Sequence, residues 1–149
     1  MTINTRKDAI EAAVRYGVPY SDPPHRRLAD QIEAQLTLDA PAPAAKTGDA
    51  TLTIAELLAG LITVTKATAV AITLPLGTLT DAGVLSGALA VDQGFAWSLI
   101  NLGSSSGAVT MTEDTDHTYV GNATVAISTS ARFLTRKTAT ETFVTYRIS

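Results

Sequence analysis

The sequence predicts a mainly β protein, an antiparallel β-sandwich (jelly-roll-like, or a partly open barrel) with an N-terminal helical arm. From residue 50 onward, short runs of apolar and polar alternation follow one another, separated by Gly, Ser, Asn and Asp, as in a sandwich. Residues 1–38 instead place apolar side chains three or four residues apart, which is typical of helices. We therefore divide the chain into an arm (1–38), a Pro/Ala linker (39–49) and a β domain (50–149).

The arm begins with a predicted helix that starts after a capping box formed by Thr5 and Asp8. Ile10 and Val14 lie four residues apart and form its apolar stripe. Gly17 is a plausible C-terminal cap, and a proline follows two residues later.

A second predicted helix follows, with Asp22 as its N-cap and proline in its first turn. Leu28, Ile32 and Leu36 form a narrow apolar stripe along it. Helices this short are marginal in water, and neither stripe is wide enough to build a core of its own. We therefore expect the arm to dock on a partner.

Arg26 and Arg27 lie near the start of this second helix. Cations are unfavourable at a helix N-terminus because of the helix dipole. An external acidic partner surface would compensate for that cost, whereas a solvated helix face is the alternative interpretation.

The β domain opens with a second capping box, Thr53 to Glu56, which predicts a short helix over IAELLAG. Asp81 to Leu89 is predicted to be a weak helix or a long loop. The alternation makes Trp97 a core residue rather than a sugar-stacking surface residue. Strands are predicted at Ile62 and Val64; Val70, Ile72 and Leu74; Phe95, Trp97 and Leu99; Val109 and Met111; Val125 and Ile127; Phe133; and Val144, Tyr146 and Ile148.

The composition argues against several classes of function. Residues 1–49 carry six basic and seven acidic side chains, and residues 50–149 carry five and seven, so neither part has the basic cluster that nucleic-acid binding requires. The chain has no cysteine, which excludes disulfides and thiolate metal sites. Charges interrupt every apolar stretch that could be a signal peptide or a membrane span, so we expect a protein made in a cytoplasm without membrane contact.

Two loops carry motifs that could bind a ligand. Glu113–His117 packs three acids and a histidine into five residues, which suggests either a metal site or a solvated hairpin tip. The spacing of a calcium loop is missing, which favours the hairpin tip. Gly103–Gly107 resembles a phosphate-binding loop but lacks its Lys-Ser/Thr pair, which favours a flexible hairpin loop.

No catalytic constellation is visible in the sequence. The only histidines, His25 and His117, lie in different parts of the chain, which makes a serine-type triad improbable. Asp81, Asp92 and Glu113 are scattered, and do not form the carboxylate pair that a polysaccharide depolymerase would need. We predict that the protein is not an enzyme and that it has no catalytic, cofactor-binding or metal-binding residues.

The stretch from Thr53 to Ile148 resembles a β module of tailed-phage virions, found in head-decoration (cement), head-fibre and tail-fibre proteins. The resemblance rests on the short IAELLAG helix, a strand ending in LPLGT, and the segments FAWSLINLGSSSGAVTMT, YVGNATVAISTSARF and TFVTYRI. Proteins of this kind are typically β-rich, trimeric and non-enzymatic.

The resemblance implies a structural protein that binds the major capsid protein and stabilises the head as a homotrimer on the capsid surface. The scarcity of large aromatic residues also suggests that neighbouring subunits supply part of the core. An alternative is a tail-fibre or receptor-binding module that recognises a host surface glycan. The predicted capsid-contact residues are Ile10, Val14, Arg26, Arg27, Leu28, Ile32 and Leu36.

Overall fold

The computed structural model describes residues 41–149, and the predicted helical arm lies outside this range. The described part is mainly β, as predicted, and consists of two mixed sheets. The strands are β1 (Ala44–Lys46), β2 (Ala50–Thr51), β3 (Leu61–Val64), β4 (Val70–Thr73), β5 (Gly94–Asn101), β6 (Val109–Thr112), β7 (His117–Val120), β8 (Thr124–Val125), β9 (Ser130–Ala139) and β10 (Thr142–Arg147).

The large sheet has six strands in the order β1-β3-β5-β9-β10-β7, and the small sheet has four in the order β2-β4-β6-β8. Successive strands from β1 to β6 alternate between the two sheets, so the chain winds as a coil. Each turn adds one parallel strand to each sheet. Strand β9 then runs antiparallel to β5, and β10 runs antiparallel to β9 and parallel to the edge strand β7.

The prediction of antiparallel pairing is therefore wrong for most of the fold. Only three strand pairs are antiparallel, β5–β9, β9–β10 and β6–β8. Side chains alternate between the two faces with period two in both kinds of sheet, so the hydrophobic pattern does not reveal strand direction. The parallel neighbours β1–β3, β3–β5, β2–β4 and β4–β6 are each joined through one strand of the opposite sheet.

Two helical segments connect the sheets. Helix α1 (Ile54–Leu58) has the predicted capping box: the Glu56 N–H donates to the Thr53 hydroxyl, and the Thr53 N–H donates to the Glu56 carboxylate. Helix α2 (Gly77–Gly83) leads into a short 3₁₀ turn (Val84–Gly87). The segment from Asp81 to Leu89, predicted to be a weak helix or a long loop, therefore contains the end of α2 and this 3₁₀ turn.

A large hydrophobic cluster joins the inward faces of the two sheets, and a smaller one is formed by Val84, Leu89 and Phe143. Trp97 stacks on Phe133, with 4.3 Å between ring centroids, and is only 1% exposed, as its place in the alternation predicted. The other buried members of the large cluster are Leu52, Leu57, Ile62, Val64, Val70, Ile72, Leu74, Leu99, Val109, Met111, Val125 and Ala131.

Two details differ from the sequence-based expectations. Ala44–Lys46 falls in the predicted linker, yet it pairs with β3, so the β structure begins before residue 50. In β10 the buried side chains are Phe143 and Thr145, not the more apolar set that ends with Ile148. The Thr145 hydroxyl has buried hydrogen-bond partners, His117 and Thr135, which explains why this side of β10 faces inward.

Candidate functional site

A chain of buried polar groups crosses the interior of the large sheet. The Trp97 indole N–H donates to the Thr135 hydroxyl at 3.0 Å, and the hydroxyls of Thr135 and Thr145 lie 2.7 Å apart. The His117 Nε2 lies 2.8 Å from the Thr145 hydroxyl, and its Nδ1 lies 2.8 Å from the Pro75 carbonyl oxygen. The chain joins four strands and the end of β4, which fixes their relative positions.

The Trp97 indole can only donate and the Pro75 carbonyl can only accept, so Thr135 accepts from Trp97 and Nδ1 of His117 carries the proton donated to Pro75. The pKa of His117 is lowered, so the ring is neutral at pH 7 and its Nε2 is an acceptor. In this state the Thr145 hydroxyl donates to Nε2, and the Thr135 hydroxyl donates to Thr145.

Burial lowers the pKa of His117 below its ordinary value, although the Pro75 carbonyl and the charge of Asp114 act in the opposite direction. The ring is fully buried, and both of its nitrogens are engaged inside the protein. Neither nitrogen is positioned to take a proton from an external substrate or to bind an external metal. We assign His117 a structural role.

A second buried polar group is the ion pair between Lys137 on β9 and Asp81 on α2. The Lys137 ammonium also donates to the Leu89 carbonyl at 3.0 Å, and Asp81 accepts the backbone N–H of Glu141 at 3.0 Å. The hydrogen bond from Lys137 lowers the pKa of Asp81, so the carboxylate stays ionised despite its burial. This pair attaches α2 and the following loop to the end of the β9–β10 hairpin.

The acidic motif Glu113–His117 is divided by the fold. His117 points into the core, whereas Glu113, Thr115 and Asp116 are exposed. The segment joins β6 of the small sheet to β7 of the large sheet, so the prediction of a hairpin tip is wrong. Glu113 accepts the backbone N–H of Tyr119 at 2.8 Å, and Asp114 accepts that of Thr115 at 2.7 Å. We call Glu113–Asp116 the acidic turn. Within residues 41–149, no group of three His, Asp or Glu side chains is arranged to hold a metal.

The predicted loop Gly103–Gly107 joins a strand of the large sheet to a strand of the small sheet, so it is not a hairpin. The buried Asn101 organises it. The Asn101 amide donates to the carbonyls of Gly107 and Val125 at 2.9 and 3.0 Å, and its oxygen accepts the Gly103 N–H at 2.8 Å. Asn101 thus fixes the corner between the two sheets.

An apolar groove of about 370 Å³ lies between the start of α1 and the start of α2. Its lining includes Leu52, Ile54, Pro75 and Leu79, and Asp114 is its one charged residue. The groove lacks the several convergent polar groups that orient a substrate for chemistry.

The outward side of the large sheet carries a continuous row of exposed or half-buried apolar side chains. The strand register places Ala96, Leu134, Tyr146 and Val120 side by side across four strands. Leu134 is 37% exposed and Val120 is 49% exposed. Ile148 extends the row and is 57% exposed. An apolar surface that crosses a sheet in this way is typical of a protein contact site.

Two arginines flank this row, Arg132 and Arg136, each two residues from Leu134 on the same face of β9. Arg136 pairs with Asp92, whereas Arg132 forms no ion pair within residues 41–149. Tyrosine and arginine are enriched in protein interfaces, and this surface contains both. We call this surface, from Ala96 and Val120 to Ile148 with both arginines, the Leu134 face.

The sequence-based reasoning did not single out the Leu134 face or the Asp81–Lys137 pair. A signal for the face was present, because Phe133 predicts an inward position, which turns the side chains of Leu134 and the two arginines outward. The pair offered no such signal, since its residues are separated by 56 positions and meet only through the fold.

All seven predicted capsid-contact residues lie outside the described range. Of the part that is described, no helix combines the length and the apolar character needed to cross a membrane. Searches of known protein families, of curated proteins and of solved structures find no match to this chain.

Proposed function

We propose that this chain is a structural protein of a tailed-phage virion, a decoration or cement protein that binds and stabilises the head as a homotrimer. In this proposal residues 50–149 form a β-sandwich knob, and residues 1–38 form a helical arm that contacts the major capsid protein. The resemblance of Thr53–Ile148 to virion β modules is the first support for it.

The observation that carries the proposal is the separation of reactive groups from the exposed surface. His117, Lys137 and Asp81 are all committed to hydrogen bonds inside the protein. Among residues 41–149, every buried polar side-chain atom has a hydrogen-bond partner. The Leu134 face, in contrast, presents apolar and guanidinium groups to the outside. A protein built in this way is suited to adhesion.

In the arm, the stripes of Ile10 and Val14 and of Leu28, Ile32 and Leu36 would bury apolar area against the capsid, worth ~25 cal/mol per Å². Arg26 and Arg27 would contact acidic groups of the capsid surface. Three arms on one trimer would bind with a high effective concentration, so that weak individual contacts add up to stable attachment.

The glycan-binding alternative depends on an exposed aromatic platform. Trp97 is the only tryptophan of the chain, and its burial against Phe133 makes it unable to stack on a sugar. For this reason we prefer attachment to the head over recognition of a host glycan.

Cryo-electron microscopy of virions made from the genome that encodes this chain tests the proposal. We expect trimeric density for the β domain on the outer surface of the head, with the arm against the major capsid protein. Density at the tail tip would favour the receptor-binding alternative, and absence of the chain from purified particles would refute a virion role.

A matched pair of arm variants tests the contact itself. Ile32→Glu with Leu36→Glu adds two charges to the predicted stripe, and Gln31→Glu with Gln35→Glu adds the same charges beside it. We expect only the stripe variant to lose binding when undecorated particles are mixed with purified protein. Equal binding by both variants would show that the stripe is not the anchor.

A further inference from the structure

We propose that copies of this chain assemble head-to-tail, with the Leu134 face of one copy bound to the acidic turn of the next. This inference rests on the proposed homotrimer and identifies the two surfaces that would build it. The two surfaces differ, so the contact is heterologous, and such contacts close into rings when the rotation between copies permits.

The charges of the two surfaces are complementary. The Leu134 face carries Arg132, which forms no ion pair within residues 41–149, and Arg136, whose charge is already paired with Asp92. The acidic turn carries Glu113, Asp114 and Asp116, and none of them forms an ion pair within residues 41–149. Opposite charges in such an arrangement steer association and fix its orientation. A face-to-face dimer, by contrast, would bring arginines towards arginines.

The positions of the two surfaces suit a small closed ring. The acidic turn immediately precedes β7, which is the edge strand of the large sheet. The turn joins β6 of the small sheet to the start of β7, so it lies at the end of the strands and not on the outward side of the large sheet that carries the Leu134 face. The two surfaces are therefore separate, which allows each copy to contact two neighbours around a common axis.

The Leu134 face supplies part of the area of a protein contact. With ~4.8 Å between strands and ~3.3 Å per residue, seven residues along its four strands cover roughly 440 Å². One side of a standard interface uses ~800 Å², so this face supplies about half of that area.

Strand addition at β7 is a less suitable mode of contact. The Glu113 carboxylate already accepts the Tyr119 N–H at 2.8 Å, which occupies a donor that an incoming strand would need. Contact between side chains of the Leu134 face and side chains of the acidic turn is therefore the more suitable mode.

Two charge variants test the pairing by sedimentation velocity of the full chain. Leu134→Glu places an acid on the face, and Thr115→Arg places a base in the acidic turn, where the Thr115 side chain makes no hydrogen bond within the described part of the chain. We expect each variant alone to raise the dissociation constant by at least about tenfold, because like charges then meet across the contact. Mixing the two variants should produce a heterodimer that neither forms alone, because the intact face of Thr115→Arg can bind the intact acidic turn of Leu134→Glu; a closed trimer is not expected, since two of its three copies would be the same variant.

Leu102→Glu is the matched control, since Leu102 is 55% exposed and lies outside both surfaces. We expect it to assemble like the wild-type chain, and circular dichroism of all variants checks that they are folded. If Leu134→Glu dissociates and Thr115→Arg does not, the contact is face-to-face and the head-to-tail inference is wrong. If the wild type assembles and neither variant dissociates, the inference fails while the proposed homotrimer stands. A monomeric wild type would refute both.

Discussion

The imidazole of His117 and the hydroxyl of Thr145 lie 2.8 Å apart inside the large sheet, with the histidine accepting. Protonation of His117 would turn this acceptor into a donor. Thr145 would then have to donate to Thr135, and the Thr135 hydroxyl, which already accepts from Trp97, would lose the acceptor for its own hydrogen. A single proton therefore reverses two buried hydrogen bonds and leaves one buried hydroxyl hydrogen without an acceptor.

We predict that the protein loses stability as the pH falls below ~6.5, the ordinary pKa of histidine in an unfolded chain. The folded state holds the pKa of His117 below that value because the ring is buried. The unfolded state therefore binds the proton first. The loss continues until the pH reaches the folded pKa, with a slope of at most ~1.4 kcal/mol per pH unit. Urea unfolding at a series of pH values between 7.5 and 5 measures it.

His117→Gln is the control for this prediction. The variant should be less stable at pH 7.5, because glutamine does not reproduce the hydrogen bonds of the ring to Pro75 and Thr145. Its stability should vary less with pH between 7.5 and 5. If wild type and variant show the same pH dependence in this range, other groups cause it and His117 is not responsible.

Trp97→Ala should destabilise the protein by ~3–5 kcal/mol, because a large buried ring is removed and a cavity is left. Trp97→Phe retains a ring to pack on Phe133 but removes the N–H that binds Thr135, so we expect a smaller loss of ~1–3 kcal/mol. Thermal and urea unfolding of both variants measure the difference. A melting temperature that hardly changes in Trp97→Ala would mean that the residue is exposed.

Much of the β structure could be predicted from the sequence because the alternation reports burial directly. The pattern placed Ile62, Ile72, Trp97 and Val109 in the core, and the structure places them there. The alternation reports neither which strands are neighbours nor their direction, since both depend on contacts distant in sequence. The coil of parallel strands was missed for this reason.

The buried face of β10 was missed for a different physical reason. A hydrophobicity pattern assigns Val144 and Tyr146 to the core and Thr145 to the surface. The structure reverses this because Thr145 is held by His117 and Thr135. A polar residue becomes a core residue when its partners are buried with it, and those partners are not adjacent in sequence.

Breaking the ion pair between Lys137 and Asp81 should be costly. Lys137→Met leaves a buried carboxylate without its cation, and we expect a loss of ~3–5 kcal/mol at pH 7. Adding Asp81→Asn to that variant should recover a substantial part of the loss, because the remaining group is neutral and can still accept the Glu141 N–H. Urea unfolding of both single variants and the double variant completes the cycle.

The pH dependence of this pair provides a second check. Lys137 lowers the pKa of Asp81 in the folded state, so the stabilisation is present above ~3.9 and is lost as the pH falls through the folded pKa. Lys137→Met should remove this acid-dependent loss. Additive single-variant effects would mean that the two side chains do not act as a pair.

The corner between the sheets should not tolerate a side chain at Gly107. A Cβ atom there would lie 2.1 Å from the Lys66 carbonyl oxygen, a backbone atom that cannot move aside without shifting the neighbouring turn. We expect Gly107→Ala to cost ~1–3 kcal/mol or more through overpacking. Gly48→Ala is the matched control, since its Cβ would come no closer than 3.9 Å to the flexible end of Lys66. Urea unfolding of both variants should show a large loss of stability only for Gly107→Ala. Equal stability of the two variants would mean that Gly107 is not packed against the backbone of Lys66.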